Sequence, residues 1–261
     1  MKILIPTDFS DNAKVALDYA IANFPKASFT LLHITYLQQA GATMVVDVNL
    51  ELKEQGEKRM NAYIEELNKA FPDKNIKGKV EMGYFSETII EELEVDDYDL
   101  LVLGTKGASG VKEVLIGSNT ADAIKHVECK MIVVPHQAEI KPPKHILLSS
   151  DFTSESLKLE YKIIDGLREL FNAEIDLLHV FKSFERLEDI SYSDLMEKKE
   201  VDIHVLENDN VEETILEFAH ENNFDMIALV PKNRGFIRNI FHHSVTKKIS
   251  MHTDVPLFIW K

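Results

Sequence analysis

The stretch Glu87–Gly104 reads ETIIEELEVDDYDLLVLG, and a second one, Glu213–Pro231, reads ETILEFAHENNFDMIALVP. Each opens with helical spacing of apolar residues and closes on an unbroken apolar run, LLVL or IALV. A strand that alternates is covered on one face; a strand without alternation is covered on both. A helix leading into such a strand, twice in one chain, predicts parallel strands joined by right-handed helical crossovers.

Other blocks repeat in the same order. ILIPTDFSDN at Ile3 matches ILLSSDFTSES at Ile146, FTLLHIT at Phe29 matches IDLLHVF at Ile175, and CKMIVVP at Cys129 matches DVPLFIW at Asp254. The chain therefore reads as a tandem duplication of a unit of roughly 120–140 residues, an ordinary domain size. The expected domains are 1–138 and 145–261, with 139–144 as an extended linker containing Pro142 and Pro143. Within the first unit the pattern predicts strands at 3–6, 29–34, 79–82, 99–103 and 130–135. Helices are predicted at 11–24, 50–70, 87–93 and from about Asn119, with Ser10 as a capping residue and Thr153 as its counterpart. The stretch QQAGATMVVDVN at Gln38–Asn49 has no counterpart in the second unit and reads as a loop or arm.

The composition narrows the function classes. Of 261 residues, 45% are hydrophobic and 28% charged, which suits packed domains rather than disorder. The formal net charge of -15 argues against nucleic acid as a partner, since phosphate binding needs clustered Lys and Arg, and gives no special affinity for anionic membranes. One cysteine, Cys129, excludes an intrachain disulfide framework and reads as a small buried residue. The opening MKILIPTDFSDN turns polar after Pro6 and has no signal-like apolar run; the expected location is cytoplasmic.

Glycine is sparse, ten in all, yet it clusters in GTKGASGVKEVLIGSNT from Gly104 to Thr120. The cluster follows the apolar run 100–103, so it lies at the carboxyl edge of the sheet, where open α/β sheets bind ligands. It is neither a Walker A loop nor a G-x-G-x-x-G fingerprint. Gly104-x2-Gly107-x9-Gly117-Ser118 leaves two readings open. The first two glycines expose backbone N–H groups to a ligand, while Gly117, Ser118 and Thr120 open a helix whose free amides and hydroxyls attract an anion. Alternatively, the stretch is a tight turn followed by ordinary capping by Ser118. His33 and His179, after paired leucines on a strand, read as packed structural histidines, and no Ser-His-Asp or Cys-His arrangement follows from spacing.

Gly104, Gly107, Gly117 and Ser118, together with Pro6-Thr7-Asp8, Leu32-His33-Ile34 and Val133-Val134-Pro135, resemble the universal stress protein family across both copies. The resemblance implies two tandem five-stranded parallel α/β sandwich domains, Rossmann-like and similar to the adenine-nucleotide alpha-hydrolases, related by a pseudo-twofold. It implies ATP or AMP as ligand, with Mg as a candidate companion and the metal ligands unassigned. Pro6, Thr7 and Asp8 would lie at adenine and ribose, Ile34 against adenine, and Gly104 and Thr105 near the ribose. Gly107, Gly117, Ser118, Asn119 and Thr120 would surround the phosphates. The second copy, VPKNRGFIRNIFHHSVT, departs from this pattern: Pro231 stands for Gly104, His243 for Gly117, and Arg234 or Gly235 falls near Gly107. Asp151, Ser244 and Thr246 survive. Pro231 has no N–H to donate, so this copy reads as unable to bind ATP in the family manner. Its Lys232, Arg234, Arg238, His242 and His243 form a local basic group, either a solvated face or a site for another anion.

Three functions compete on these grounds. One is a stress-response, nucleotide-binding regulator with an unidentified protein partner. Another is a slow ATPase or ATP-dependent enzyme of a related α/β fold, for which a Ser-Gly-Gly-x-Asp loop is missing and no base or arginine finger is assignable. The last is a nucleotide-free scaffold. The family pairs domains through their fifth strands, and the apolar KMIVVP and VPLFIW are strands at the ends of their units. Antiparallel pairing of these two strands within one chain is therefore expected, with a homodimer still open. Val133→Pro removes a ladder donor and should loosen the domains from each other. Small-angle scattering is expected to show a larger radius of gyration with unchanged helix content; an unchanged radius contradicts the pairing.

Overall fold

The computed structural model describes residues 1–36, 44–105, 117–149, 157–182, 200–230 and 254–261. The chain divides into two compact units, Met1–His136 and Gln137–Lys261. In the first, the order is β1 (Lys2–Pro6), α1 (Asp11–Asn23), β2 (Ser28–Thr35), α2 (Met44–Ala70), β3 (Asn75–Met82), α3 (Phe85–Val95), β4 (Leu100–Gly104), α4 (Ser118–His126) and β5 (Met131–Val134). Its strands lie in the order β3-β2-β1-β4-β5, every pair parallel. Right-handed crossovers place α1 and α2 on one face and α3 and α4 on the other. Consistent with that, the Ser86 hydroxyl at the start of α3 donates to the Asp122 carboxylate on α4 at 2.5 Å. The strand order reverses between β1 and β4, and that switch point is where a sheet of this kind opens a crevice.

The core is built as the sequence pattern predicts. Ile3, Leu4 and Ile5 of β1 and Leu100, Leu101 and Val102 of β4 are fully buried, so the central strands are covered on both faces. Ser10 caps α1, its hydroxyl accepting the Ala13 N–H at 3.3 Å. Two expectations need correction. Helix α2 starts at Met44, so 44–49 is helical rather than loop; the valines there disfavour a helix locally, but lengthening an established helix costs little. Gln38–Thr43 lies outside the described residues. Strand β3 also begins earlier, at Asn75, because its full ladder with β2 and the packing of Met60 and Ile64 of α2 over Gly78 outweigh the poor strand propensity of NIKGK.

The second unit repeats the plan with β6 (His145–Ser149), α5 (Leu157–Phe171), β7 (Glu174–Phe181), β8 (Ile203–Glu207), α6 (Val211–Glu221), β9 (Met226–Leu229) and β10 (Leu257–Ile259). Its order is β8-β7-β6-β9-β10, again all parallel. One repeated residue explains part of the duplication. Asp99 accepts the Lys2 N–H at 2.7 Å, and Asp225, its counterpart, accepts the N–H groups of Lys144 and His145 at 2.9 and 3.1 Å. Each aspartate thus clamps the start of the unit's first strand. Burial acts to raise the Asp225 carboxyl, but the Lys144 N–H, the Lys141 ammonium and the His145 N–H outweigh it and hold the group below its ordinary value. Lys141, in the stretch read as a linker, is therefore tied to the second unit through Asp225 at 3.0 Å.

Trp260, just past β10, closes the second unit. Its N–H donates to Leu229 O at 3.0 Å, and its ring lies on Gly166 of α5. A Cβ at Gly166 would sit 2.4 Å from the ring. Gly166→Ala gains about 1 kcal/mol of helix propensity but forces a buried indole to move, an overpacking cost of about 1–3 kcal/mol. The variant is expected to lose stability, and thermal unfolding checks it; an unchanged or higher Tm contradicts this packing.

Candidate functional site

The site forms where β1 and β4 end side by side. Thr7 continues the ladder by donating its N–H to Leu32 O at 2.9 Å. The chain then turns sharply through Phe9, whose φ of 61° is uncommon for a bulky residue. Short side chains stabilise the turn: Thr7 Oγ1 accepts the Phe9 N–H and Asp8 Oδ1 accepts the Ser10 N–H, both at 3.0 Å. The turn aims the Phe9 ring away from the sheet edge and into a cluster under α2. There it meets His33 at 4.6 Å and Tyr63 at 5.7 Å, with the Arg59 guanidinium 4.4 Å over its face. Burial first, then the carboxylates of Asp18 and Glu66, pushes the Tyr63 hydroxyl above its usual value. His33 Nδ1 lies 2.8 Å from Thr7 O, and with the carbonyl as acceptor the ring N–H donates. His33 is thus a packed structural histidine that holds the turn from behind.

The end of β4 is fixed by a different contact. A Cβ on Gly104 would come within 2.8 Å of the carbonyl oxygen of Asn12 in α1. The absence of a side chain lets helix and strand touch here, a packing role that the sequence reading of this position did not include. Thr120 Oγ1 donates to Gly104 O at 2.8 Å and ties the first turn of α4 to the strand end. That hydroxyl proton is therefore committed within the protein. Gly117 N–H donates to Thr105 O at 2.5 Å, closing the glycine stretch at its base. Gly107 lies outside the described residues.

The two helix starts at this edge differ. At α1 the Ser10 hydroxyl takes the Ala13 amide in the first turn. At α4 the N-cap residue is Gly117, not Ser118, and it has no side chain to cap the first amides. The first helical bond runs from Ala121 N–H to Gly117 O, so the amides of Ser118, Asn119 and Thr120 have no partner inside the helix. No acidic residue lies in that turn, while Lys125 and His126 occupy the last one, so the helix presents its positive end to the edge.

A cleft of about 320 Å³ opens between these parts. The structure brings Pro6, Thr7, Asp8, Ile34, Gly104, Gly117, Ser118, Asn119 and Thr120 to its walls. Thr105 is buried just behind, bonded to Val134 O at 3.2 Å. Sequence reasoning missed Ala13, Leu32, Tyr36, Phe85 and Leu103. A signal for Tyr36 existed: Leu32, Ile34 and Tyr36 share one face of an extended chain, two residues apart. Phe85 opens α3 right after β3, again at the carboxyl edge. One end of the cleft is apolar and the other is the open α4 terminus, so the arrangement suits a flat apolar group joined to an anion. Among the described residues no group of His, Cys, Asp or Glu is placed to hold a metal ion, and no helix is long and apolar enough to cross a membrane. In the second unit, the equivalents Asp151, Thr153 and Pro231 through Thr246 all lie outside the described residues.

Residues 1–135 and 184–261 match the model of the universal stress protein family. The chain belongs to that family. The universal stress protein MJ0577 of Methanocaldococcus jannaschii is 29% identical over 151 residues, covering 51% of this chain and 93% of the relative. The crystal structure of a universal stress protein from Archaeoglobus fulgidus aligns over 100% of this chain and 98% of its own, with a TM-score of 0.71 and 20% identity, a likeness of fold. A universal stress protein solved in complex with cAMP aligns over 51% of this chain and 96% of its own, at 25% identity and a TM-score of 0.38.

The Gly104–Asn12 contact generates a test. Gly104→Ala cannot be accommodated by turning a flexible side chain, because the opposing atom is backbone. The variant is expected to lose about 1–3 kcal/mol of stability, measured by denaturant unfolding in the absence of any ligand; a loss below about 0.5 kcal/mol contradicts a packing role.

Proposed function

We propose that the first unit binds one adenine nucleotide, ATP or AMP, in the cleft at the ends of β1 and β4, and that occupancy regulates the binding of a protein partner. The observation that carries this reading is the uncapped start of α4, facing a cleft with an apolar end. The amides of Ser118, Asn119 and Thr120 and the Ser118 hydroxyl would hold phosphate oxygens. Ile34, Leu32 and Leu103 offer apolar surface for the base, and Pro6, Thr7 and Asp8 line the part between. Mg, where bound, would arrive with the phosphates and neutralise part of their charge.

A regulatory role fits better than rapid turnover. Fast phosphoryl transfer needs a residue that positions the attacking water and a cation that meets the developing charge. Asp8, the one carboxylate among the described lining residues, already holds the Ser10 N–H in a turn, and no described lining residue is Lys or Arg. Any hydrolysis is expected to be slow.

Calorimetric titration with ATP and with AMP tests the proposal. One site per chain is expected, because the second copy has Pro231 and His243 where the first has Gly104 and Gly117. Gly117→Val should abolish binding while the fold survives. Gly117 has φ -59° and ψ 151°, which other residues also adopt, so the effect would come from the added side chain and not from backbone strain. Two equivalent sites per chain, or unchanged affinity in a folded Gly117→Val variant, contradicts this placement.

A further inference from the structure

One contact crosses the mouth of the cleft. The Tyr36 hydroxyl donates to Asn119 Oδ1 at 2.8 Å, joining residues 83 apart in sequence. Tyr36 follows the last residue of β2, on one side of the switch point, and Asn119 lies in the first turn of α4, on the other. Both line the cleft. Tyr36 is 53% exposed, unusual for a large aromatic side chain that also faces a cavity. Its ring is not locked into the core, and this hydrogen bond reaches from it across the opening. A tyrosine has only two side-chain torsions, so holding its ring in one place costs little entropy.

We infer that Tyr36 is a latch over the cleft: with its hydroxyl on Asn119 it closes the mouth over a bound nucleotide and sets the rate of release. The inference rests on the nucleotide reading for the identity of the ligand, while the bridge itself does not. Its position explains the effect. Asn119 belongs to the turn whose amides face the phosphates, and Tyr36 continues the face of Leu32 and Ile34 toward the base. Closing the latch links the two ends of the site, so the ligand leaves only after the bond opens. Tyr36 acts here as a positioning residue and carries no chemistry.

The test has two arms. In the ligand-free protein, the side-chain amide resonance of Asn119, assigned by its loss in Asn119→Ala, is expected to shift in Tyr36→Phe; an unmoved resonance means the bridge is absent in solution and overturns the latch. In the second arm, stopped-flow displacement measures release of a fluorescent AMP or ATP analogue. Tyr36→Phe is expected to speed release about three- to tenfold, the effect of one neutral hydrogen bond, with little change in association. Asn119→Ala should do the same, and the double variant should release no faster than the faster-releasing single variant, because both remove the same bond. An intact bridge with release within twofold of wild type overturns the latch and leaves the nucleotide site standing. An intact bridge in a wild-type protein that binds neither nucleotide refutes the site itself, and the latch with it.

Discussion

Everything at the carboxyl edge of the first unit depends on the close approach of Gly104 to Asn12. The strand end can lie against the start of α1 only because position 104 has no side chain, and the space left at the Asn12 carbonyl is less than a carbon atom needs. That approach sets the end of β4 beside the start of α1. The Thr120 hydroxyl then ties α4 to the same residue, at the Gly104 carbonyl. One residue with no side chain thus fixes three elements, and the cleft is the space among them. Behind it, Phe9 and His33 hold the β1 turn in a strained backbone conformation that free chain would rarely adopt.

The duplication has been kept unevenly. At the amino edge of each sheet the same device persists: an aspartate, Asp99 or Asp225, clamps the start of the unit's first strand. This clamp serves folding, and both units need it. At the carboxyl edge the sequences part, with Pro231 and His243 in place of two glycines. The substitutions there leave the sheet intact, since the ladders of β6 to β10 match those of β1 to β5 in order and direction. Fold and site are separable in this architecture because the strands' interiors carry one and their ends carry the other.

Much of this is legible in the sequence. Uninterrupted apolar runs at LLVL and IALV announced strands covered on both faces, and the repeat announced two units. Ser10 was readable as a cap because a hydroxyl residue preceded a helical apolar pattern. The extra turns of α2 were not readable, because Val45, Val46 and Val48 have low helix propensity and the gain comes from extending a helix already anchored downstream. The packing role of Gly104 was hidden for another reason: Asn12 is distant in sequence, and a glycine beside a ligand edge looks the same as a glycine beside a helix. Ser118 looked like the cap of α4, yet Gly117 takes that position and leaves the first amides open. Phe85 is hidden because it lies beyond the end of β3, where strand periodicity stops informing, whereas Tyr36 continues the alternation of Leu32 and Ile34 and is legible in the sequence.

The central claim is that the open start of α4 receives the anionic end of a nucleotide. Titrating isotopically labelled protein with AMP and following the backbone amide resonances tests it most directly. Saturable shifts are expected, largest at Ser118, Asn119 and Thr120, with smaller ones at Thr7 and Asp8. Saturable binding whose shifts avoid those amides, or fall only in the second unit, would contradict it.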